Sequence, residues 1–177
     1  TKMDPETFQH ECDERIKSYA HDEELHRASN SFMDNTIRTK YSYNFSWMGR
    51  PIIQYPQDIM AMQEIIWNVK PDLIIETGIA HGGSLIFYAS LLELIGGDGE
   101  VLGIDIDIRD HNRREIEKHP MFERIKMIAG SSVDVRVIKE VNTYVQGKKR
   151  VLVALDSLHT HDHVLQELEL YSPFVTK

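Results

Sequence analysis

The stretch IIETGIAHGGSL, residues 74–85, places three glycines directly after a short apolar run. An acid, Glu76, precedes the glycines, and residues 71–108 contain neither Lys nor Arg. Glycine turns of this kind let a backbone approach a ligand closely. The spacing G-x-x-x-G-G matches neither the dinucleotide fingerprint nor the phosphate-binding loop. Because phosphate binding needs N–H donors and positive charge, a carboxylate at this turn favours a cationic ligand instead.

The sequence around this turn alternates between strand-like and helix-like segments. In chain order the predicted segments are strand 72–77, helix 82–96, strand 101–107, helix 111–119, strand 124–130, helix 132–145, strand 150–156 and helix 161–171. Such alternation is typical of a parallel sheet that is covered by helices on both faces. The predicted fold class is therefore α/β with a Rossmann-like parallel sheet, whose ligands bind beyond the carboxyl ends of the strands.

The N-terminal part of the chain has a different pattern. Residues 1–40 are polar with sparse apolar positions, which predicts one or two surface helices. The aromatic, proline-containing stretch 41–58 predicts an ordered loop, and a helix is predicted over 57–69. We therefore expect a helical and loop cap segment over 1–55 and the Rossmann-like core over 56–177.

Composition excludes several classes of protein. The 177 residues carry a formal net charge of −8 without a basic block, so a nucleic-acid partner is not expected. The single cysteine, Cys12, excludes an internal disulfide framework and a Cys-rich zinc site, and it fits a reducing compartment. No apolar run approaches the length of a membrane span. We expect a cytoplasmic protein without a membrane span.

S-adenosylmethionine carries a sulfonium and an ammonium and no phosphate, which suits this glycine turn. Asp105 ends the second predicted strand, where it can accept hydrogen bonds from a ribose diol. Ser131 or Ser132 either contacts the adenine side or caps the next helix. The alternative is a tight strand–helix turn beside a solvated Glu76. The candidate cofactor-binding residues are Glu76, Gly78, His81, Gly82, Gly83, Ser84, Asp105 and Ser131.

The stretch LDSLHTHDH, residues 155–163, is rich in metal-ligand residue types. Its spacing is one residue short of the zinc-hydrolase pattern H-x-H-x-D-H, and we expect His161 and His163 to form the exposed first turn of a helix. Asp156 ends an apolar strand at the ligand face, and Mg²⁺ with waters and substrate oxygens would satisfy this carboxylate. His159 is a candidate catalytic base, because an imidazole is partly unprotonated at neutral pH.

The chain resembles the cephalosporin hydroxylase family over about residues 40–177. Three stretches carry this resemblance: KYSYNFSWMGRPIIQYPQDIMAMQEIIWNVKPDLIIETGIAHGGSL, VLGIDID and LDSLHTHDHVLQELELYSPFVTK. Close relatives in this family are sugar O-methyltransferases. A more distant likeness links the chain to catechol-type O-methyltransferases, which also place a metal-binding Asp at the end of the fourth strand.

The resemblance implies a class I methyltransferase fold that uses S-adenosylmethionine, despite the name of the family. It assigns Asp156 to Mg²⁺ and three residues to the cofactor, namely Glu76, Gly78 and Asp105. In the catechol-type relatives a basic catalytic residue aligns with His159. Relatives continue beyond the position of Lys177 into a strand with further acidic metal ligands. We therefore expect the C-terminal strands to be missing from this chain and its fourth strand to be an exposed edge.

These observations favour an enzyme that transfers a methyl group to a hydroxyl of a sugar, polysaccharide or natural product, assisted by Mg²⁺. The expected partner is a small-molecule or saccharide acceptor, and a homo-oligomer is also open. One alternative is a nicotinamide-dependent or other oxidative enzyme, which S-adenosylhomocysteine and NAD(P) binding would separate. The other alternative is a non-catalytic binding domain with the same fold.

Overall fold

The computed structural model describes residues 4–176, and its contacts divide the chain into two compact units between Tyr41 and Ser42. The described part of the first unit contains two helices, α1 (Pro5–Tyr19) and α2 (Glu23–Arg38). Each helix follows an N-cap aspartate, because the side chains of Asp4 and Asp22 accept hydrogen bonds from amides of the first turn. These helices match the one or two that the sequence predicts.

The second unit is an α/β fold that begins with a short hairpin and continues as alternating strands and helices. Its elements are β1 (Phe45–Trp47), β2 (Arg50–Ile52), α3 (Pro56–Val69), β3 (Leu73–Thr77), α4 (Gly83–Ile95), β4 (Glu100–Asp105), α5 (Asp110–Glu117), β5 (Ile125–Ala129), α6 (Val135–Val145), β6 (Val151–Leu155) and α7 (His161–Tyr171). The strands and helices from β3 onward agree with the predicted alternation.

The four long strands form one parallel sheet in the order β5-β4-β3-β6. The chain moves outward from β3 to β4 and β5 and then returns to the other side of β3 with β6. This reversal creates a topological switch point between β3 and β6, which is where ligands bind in sheets of this type. The Rossmann-like fold class is confirmed, and β6 lies at an edge of the sheet that the described residues form, as predicted.

Alternate residues of the central strand β3 enter two different cores, because successive side chains of a strand point to opposite faces. Ile74 packs with Ile86 and Phe87 of α4 on one face. Leu73 and Ile75 pack on the other face, in the cluster that contains Val141 of α6 and Tyr171 of α7. Helices therefore cover both faces of the sheet, and a ligand site is expected at the ends of the strands.

The prediction of a loop over residues 41–58 was wrong for residues 45–52, which form an antiparallel hairpin. Met48 and Gly49 both adopt positive φ angles at its two-residue turn, which is typical of tight hairpins. The Trp47 indole donates a hydrogen bond of 3.0 Å to Ser90 of α4, which anchors the hairpin on the core. The boundary at Tyr41 places residues 42–55 in the second unit, whereas the predicted segments were 1–55 and 56–177.

The turn that follows β3 requires a glycine for a geometric reason. Gly78 has a φ of +93°, and a Cβ at this position would overlap the backbone oxygen of Asp156. We expect Gly78→Ala to lower the free energy of unfolding by about 2 kcal/mol or more, since it combines backbone strain with overpacking.

Urea unfolding measures this loss, and Gly97→Ala is the matched control. Gly97 has a φ of +82°, but a Cβ there meets no atom within 4 Å, so its substitution introduces the strain without the overlap. Equal losses in the two variants would contradict a close approach between Gly78 and Asp156.

Candidate functional site

Two cavities flank the turn Gly78–Ala80 at the carboxyl ends of the strands. One cavity, of about 380 Å³, is lined by Asp105, Ser131, Ser132 and His163, and we call it the Asp105 cavity. The other, of about 460 Å³, is lined by His81, Ser84, Gln54 and His159, and we call it the His159 cavity. Both cavities share four lining residues, which are Gly78, Ala80, Asp156 and Ser157. These shared residues form a common wall at the switch point.

Asp105 holds the glycine turn from the end of β4. Its Oδ2 atom accepts hydrogen bonds from the amides of Ile79 at 2.8 Å and Ala80 at 3.2 Å, and its Oδ1 atom accepts one from the amide of Asp107 at 2.9 Å. An ionised carboxylate offers roughly four lone-pair positions. Asp105 therefore retains acceptor capacity for a hydroxyl group in the cavity that it lines.

The remaining wall of the Asp105 cavity combines apolar side chains with serines. Ile106 and Leu158 are apolar, exposed to solvent, and contribute to the lining. Ser131 lies after β5 at the same cavity. An apolar surface with a few hydroxyl groups suits a flat aromatic ring that carries polar edge atoms.

Glu76 is fully buried beneath the turn and does not line either cavity. Its carboxyl group accepts hydrogen bonds from Ser84 at 2.5 Å and from Tyr88 at 3.1 Å, both on α4. The alternative of a solvated Glu76 is therefore wrong. The pKa of Glu76 is raised to about 8, mainly by burial and in smaller part by the charge of Asp156, while the hydrogen bonds from Ser84 and Tyr88 oppose the change. Direct contact between Glu76 and a cofactor stays a prediction, and Ser84 links this acid to the His159 cavity.

The raised pKa of Glu76 predicts a pH dependence of stability. Between the ordinary carboxyl value of 4.5 and the folded value of about 8, the folded state holds a proton that the unfolded state lacks. The free energy of unfolding should therefore fall as the pH rises through this window. We expect Glu76→Gln, which stays neutral, to lose less stability than the unsubstituted protein between pH 6 and pH 9.

Urea titrations at the two pH values measure this difference. Glu169→Gln, the same chemical change at an exposed position of α7, serves as the control and should follow the unsubstituted protein. An identical pH dependence in Glu76→Gln and in the unsubstituted protein would contradict a protonated buried Glu76.

Gly82 and Gly83 face protein atoms at the start of α4. A Cβ at Gly82 would overlap the side chain of Ile116, and a Cβ at Gly83 would overlap the backbone carbonyl of Pro51. These glycines therefore allow α5 and the hairpin to pack closely on α4. Gly83 lines the His159 cavity, whereas Gly82 is not among its lining residues. Contact of either glycine with a cofactor stays a prediction.

Arg50 and Asn112, which the sequence analysis did not identify, form hydrogen bonds with the backbone of the glycine turn. Arg50 donates to the backbone oxygen of His81 from Nη2 at 2.6 Å and from Nε at 3.1 Å. Asn112 of α5 donates to the backbone oxygen of Ala80 at 2.9 Å and accepts from Arg50 at 3.1 Å. Ala80 has a φ of +44°, a strained value for a residue with a Cβ, so these bonds stabilise an unfavourable backbone conformation.

Asp156 and His159 form a pair that lines the His159 cavity. The Nε2 atom of His159 lies 3.2 Å from Oδ1 of Asp156, and 47% of the Asp156 side chain is exposed. Partial burial raises the pKa of Asp156, and His159 opposes this change. Among the described residues no cluster of three or more His, Cys, Asp or Glu side chains could hold a metal ion. Metal binding by Asp156 stays a prediction.

The two histidines of the first turn of α7 differ in their surroundings. His161 is exposed over 85% of its side chain, as predicted. His163 is exposed over only 17%, and its Nε2 atom contacts Ser132 and Ser157. The prediction of an exposed His163 was wrong, because this residue lies on the face of α7 that packs against the loops after β5 and β6.

The sheet order and the switch point between β3 and β6 are those of the Rossmann-like class I methyltransferase fold. Solved CmcI structures share this fold. A CmcI complex with SAH aligns with a TM-score of 0.52 and 20% identity over 70% of this chain and 58% of that one. A CmcI apo-structure aligns with a TM-score of 0.54 and 21% identity, and a CmcI structure with Mg and SAM aligns with a TM-score of 0.51.

The chain belongs to the rhamnosyl O-methyltransferase/CmcI family, whose model matches residues 39–177. The resemblance to the cephalosporin hydroxylase family is thereby confirmed. A rhamnosyl O-methyltransferase of Mycobacterium leprae is 30% identical over 131 residues, and one of Mycobacterium bovis is 29% identical over 150 residues. These matches cover 74% and 82% of this chain, and the chain spans 56% of the length of each relative. In the part of the chain that the structure describes, every helix is too short or too polar to cross a bilayer.

Proposed function

We propose that this protein is an S-adenosylmethionine-dependent methyltransferase that methylates a hydroxyl group of a saccharide or related natural product. One observation carries the proposal: the Gly78–Ala80 turn separates a cavity suited to a nucleoside from a cavity that presents an acid and a histidine. The relatives that match the chain are named rhamnosyl O-methyltransferases, which supports a sugar as the acceptor class.

The Asp105 cavity would hold the adenosine part of the cofactor. Asp105 would accept hydrogen bonds from the ribose hydroxyls, while Ile106 and Leu158 would contact the base and Ser131 its polar edge. No Lys or Arg lines either cavity in the described part of the chain. A dinucleotide would leave its pyrophosphate without a cationic partner there, which favours S-adenosylmethionine over NAD(P).

The methionine part would cross the turn into the His159 cavity. His81 and Ser84 line this cavity, and the Ser84 hydroxyl already donates to Glu76, so its oxygen is free to accept a hydrogen bond from the cofactor ammonium. The acids that line the cavities, Asp105 and Asp156, would favour the positive charges of the cofactor.

The acceptor would bind beside Asp156 and His159. Asp156 would orient the imidazole through Nε2, leaving Nδ1 of His159 to accept the proton of the acceptor hydroxyl. The hydroxyl oxygen would form a bond to the methyl carbon as the bond from carbon to sulfur breaks, and neutral S-adenosylhomocysteine would leave. The wall shared by the cavities would align the two reacting groups.

The half-exposed Asp156 carboxylate fits a hard cation that keeps several of its waters. When bound there, Mg²⁺ would polarise the acceptor oxygen as a Lewis acid. A cytoplasmic location and a homo-oligomeric assembly stay predictions.

Calorimetry with S-adenosylhomocysteine tests the cofactor site. We expect Asp105→Ala to weaken binding by about 1.5–3 kcal/mol, the usual contribution of hydrogen bonds to a charged group. Asp107→Ala is the control, because Asp107 is exposed and contacts Asp105 only through a backbone amide that alanine retains. Unchanged affinity in Asp105→Ala, or tighter binding of NAD(P) than of S-adenosylhomocysteine, would refute the proposal.

A labelled-methyl assay with a rhamnoside acceptor tests the role of Asp156. We expect Mg²⁺ to stimulate transfer and Asp156→Asn to abolish this stimulation, because the neutral amide lacks the charge with which a carboxylate binds Mg²⁺. Affinity for S-adenosylhomocysteine should change less than about twofold, since the cavity wall keeps its shape. His161→Ala is the control at an exposed neighbouring position. Equal turnover with EDTA and with Mg²⁺ would exclude the metal.

A further inference from the structure

A cluster of four polar side chains adjoins the Asp105 cavity, and the proposed reaction does not use it. We call it the α7 cluster, and its members are Ser132, Ser157, His163 and Glu167. Ser157 Oγ donates to Glu167 Oε1 at 2.7 Å, and Nε2 of His163 lies 3.1 Å from Ser157 Oγ and 3.4 Å from Glu167 Oε1. The same His163 atom lies 3.2 Å from Ser132 Oγ. Three of the four residues line the cavity, whereas Glu167 does not.

Glu167 is a buried acid on a helix face that also carries a residue of the apolar core. Its exposure is 1%, and it lies one helical turn from Tyr171, which belongs to the apolar core on this face of the sheet. A buried carboxyl group is costly unless hydrogen bonds compensate for lost water. Ser157 and His163 provide that compensation, so the position of Ser157 is coupled to the side chain of Glu167.

Residues 163, 167 and 171 are spaced by four and therefore lie on one face of α7. This face contacts two strand-end loops. Tyr171 donates to the backbone oxygen of Ser132 at 2.9 Å in the loop after β5, and Glu167 holds Ser157 in the loop after β6. One helix thus fixes two sides of the Asp105 cavity relative to each other.

The segment that Glu167 holds also forms the wall between the two cavities. Ser157 lines both cavities, and its neighbour Asp156 has the backbone oxygen that abuts Gly78. The amide of Asp156 donates to Thr77 at 2.9 Å, which continues the pairing of β6 with β3 beyond the strands. A displacement of Ser157 would therefore move the wall that both ligands share.

We propose that Glu167 is a positioning residue that acts through Ser157 on the wall between the cofactor and acceptor cavities. Glu167 does not contact either cavity, and its effect on ligands comes from the backbone of residues 156–157. His163 extends the same restraint to Ser132. The identity of the ligand rests on the proposed function, whereas the restraint on the wall follows from the contacts alone.

The experiment compares five variants of the chain, one of which is a matched control. Glu167→Leu removes the hydrogen-bond acceptor and keeps a similar side-chain volume. Ser157→Ala removes the hydrogen-bond donor, and a third variant combines both changes. Glu167→Gln is the conservative rescue, because its amide oxygen can still accept the Ser157 hydrogen bond. Glu169→Gln, on the exposed side of the same helix, is the matched control.

Two quantities are measured, the affinity for S-adenosylhomocysteine and the hydrogen exchange of the amides in residues 155–160 without ligand. We expect Glu167→Leu and Ser157→Ala each to weaken binding about tenfold and the combined variant also about tenfold, because both changes break one interaction. Exchange at residues 155–160 should be faster in these three variants, whereas Glu167→Gln and Glu169→Gln should resemble the unsubstituted protein.

The proposal is overturned if folded Glu167→Leu matches Glu169→Gln in both affinity and exchange, or if the effects of the two single changes add. If Glu167→Leu does not fold, Ser157→Ala gives the same test with a smaller change. If the unsubstituted protein binds no S-adenosylhomocysteine, the proposed function fails. The exchange measurement then still decides whether Glu167 restrains the wall.

Discussion

The contact between Gly78 and the backbone of Asp156 is the constraint on which the site depends. It joins the ends of β3 and β6, which are distant in sequence and adjacent in the sheet. Because glycine has no Cβ, the segments after the two strands can lie against each other, and their contact becomes the wall between two cavities. This contact sets the positions of Asp156 and Ser157 relative to the turn, and Asp105 accepts hydrogen bonds from amides of the same turn.

Three acids surround the turn, and each is stabilised in a different way. Glu76 is buried, accepts hydrogen bonds from two hydroxyl groups and has a raised pKa. Asp105 accepts hydrogen bonds from backbone amides, and Asp156 is half exposed beside His159. Their different surroundings let three carboxyl groups lie near one turn without three buried charges repelling one another. The desolvation cost of each carboxyl group is thus already offset by protein hydrogen bonds or by partial exposure to solvent before any ligand binds.

Much of this arrangement could be predicted from the sequence, because the strand–helix alternation and the acids at strand ends are local patterns. The burial of Glu76 was also accessible in principle, since Glu76 and Ile74 are two residues apart and therefore face the same core. The spacing of His163 and Glu167 could likewise have indicated a packed helix face. The three-residue strands of the hairpin and the bonds from Arg50 and Asn112 to the turn depend on distant contacts, for which local patterns give no signal.

Arg50 has a consequence for where the functional module begins. The hairpin precedes every strand of the sheet, yet its arginine satisfies the carbonyl of His81 within the glycine turn. A fragment that starts at α3 would contain all four parallel strands and still lack a partner for that carbonyl. The smallest segment that preserves an ordered turn is thus larger than the four strands and their helices. Recombination between relatives would therefore need to transfer the hairpin together with the sheet.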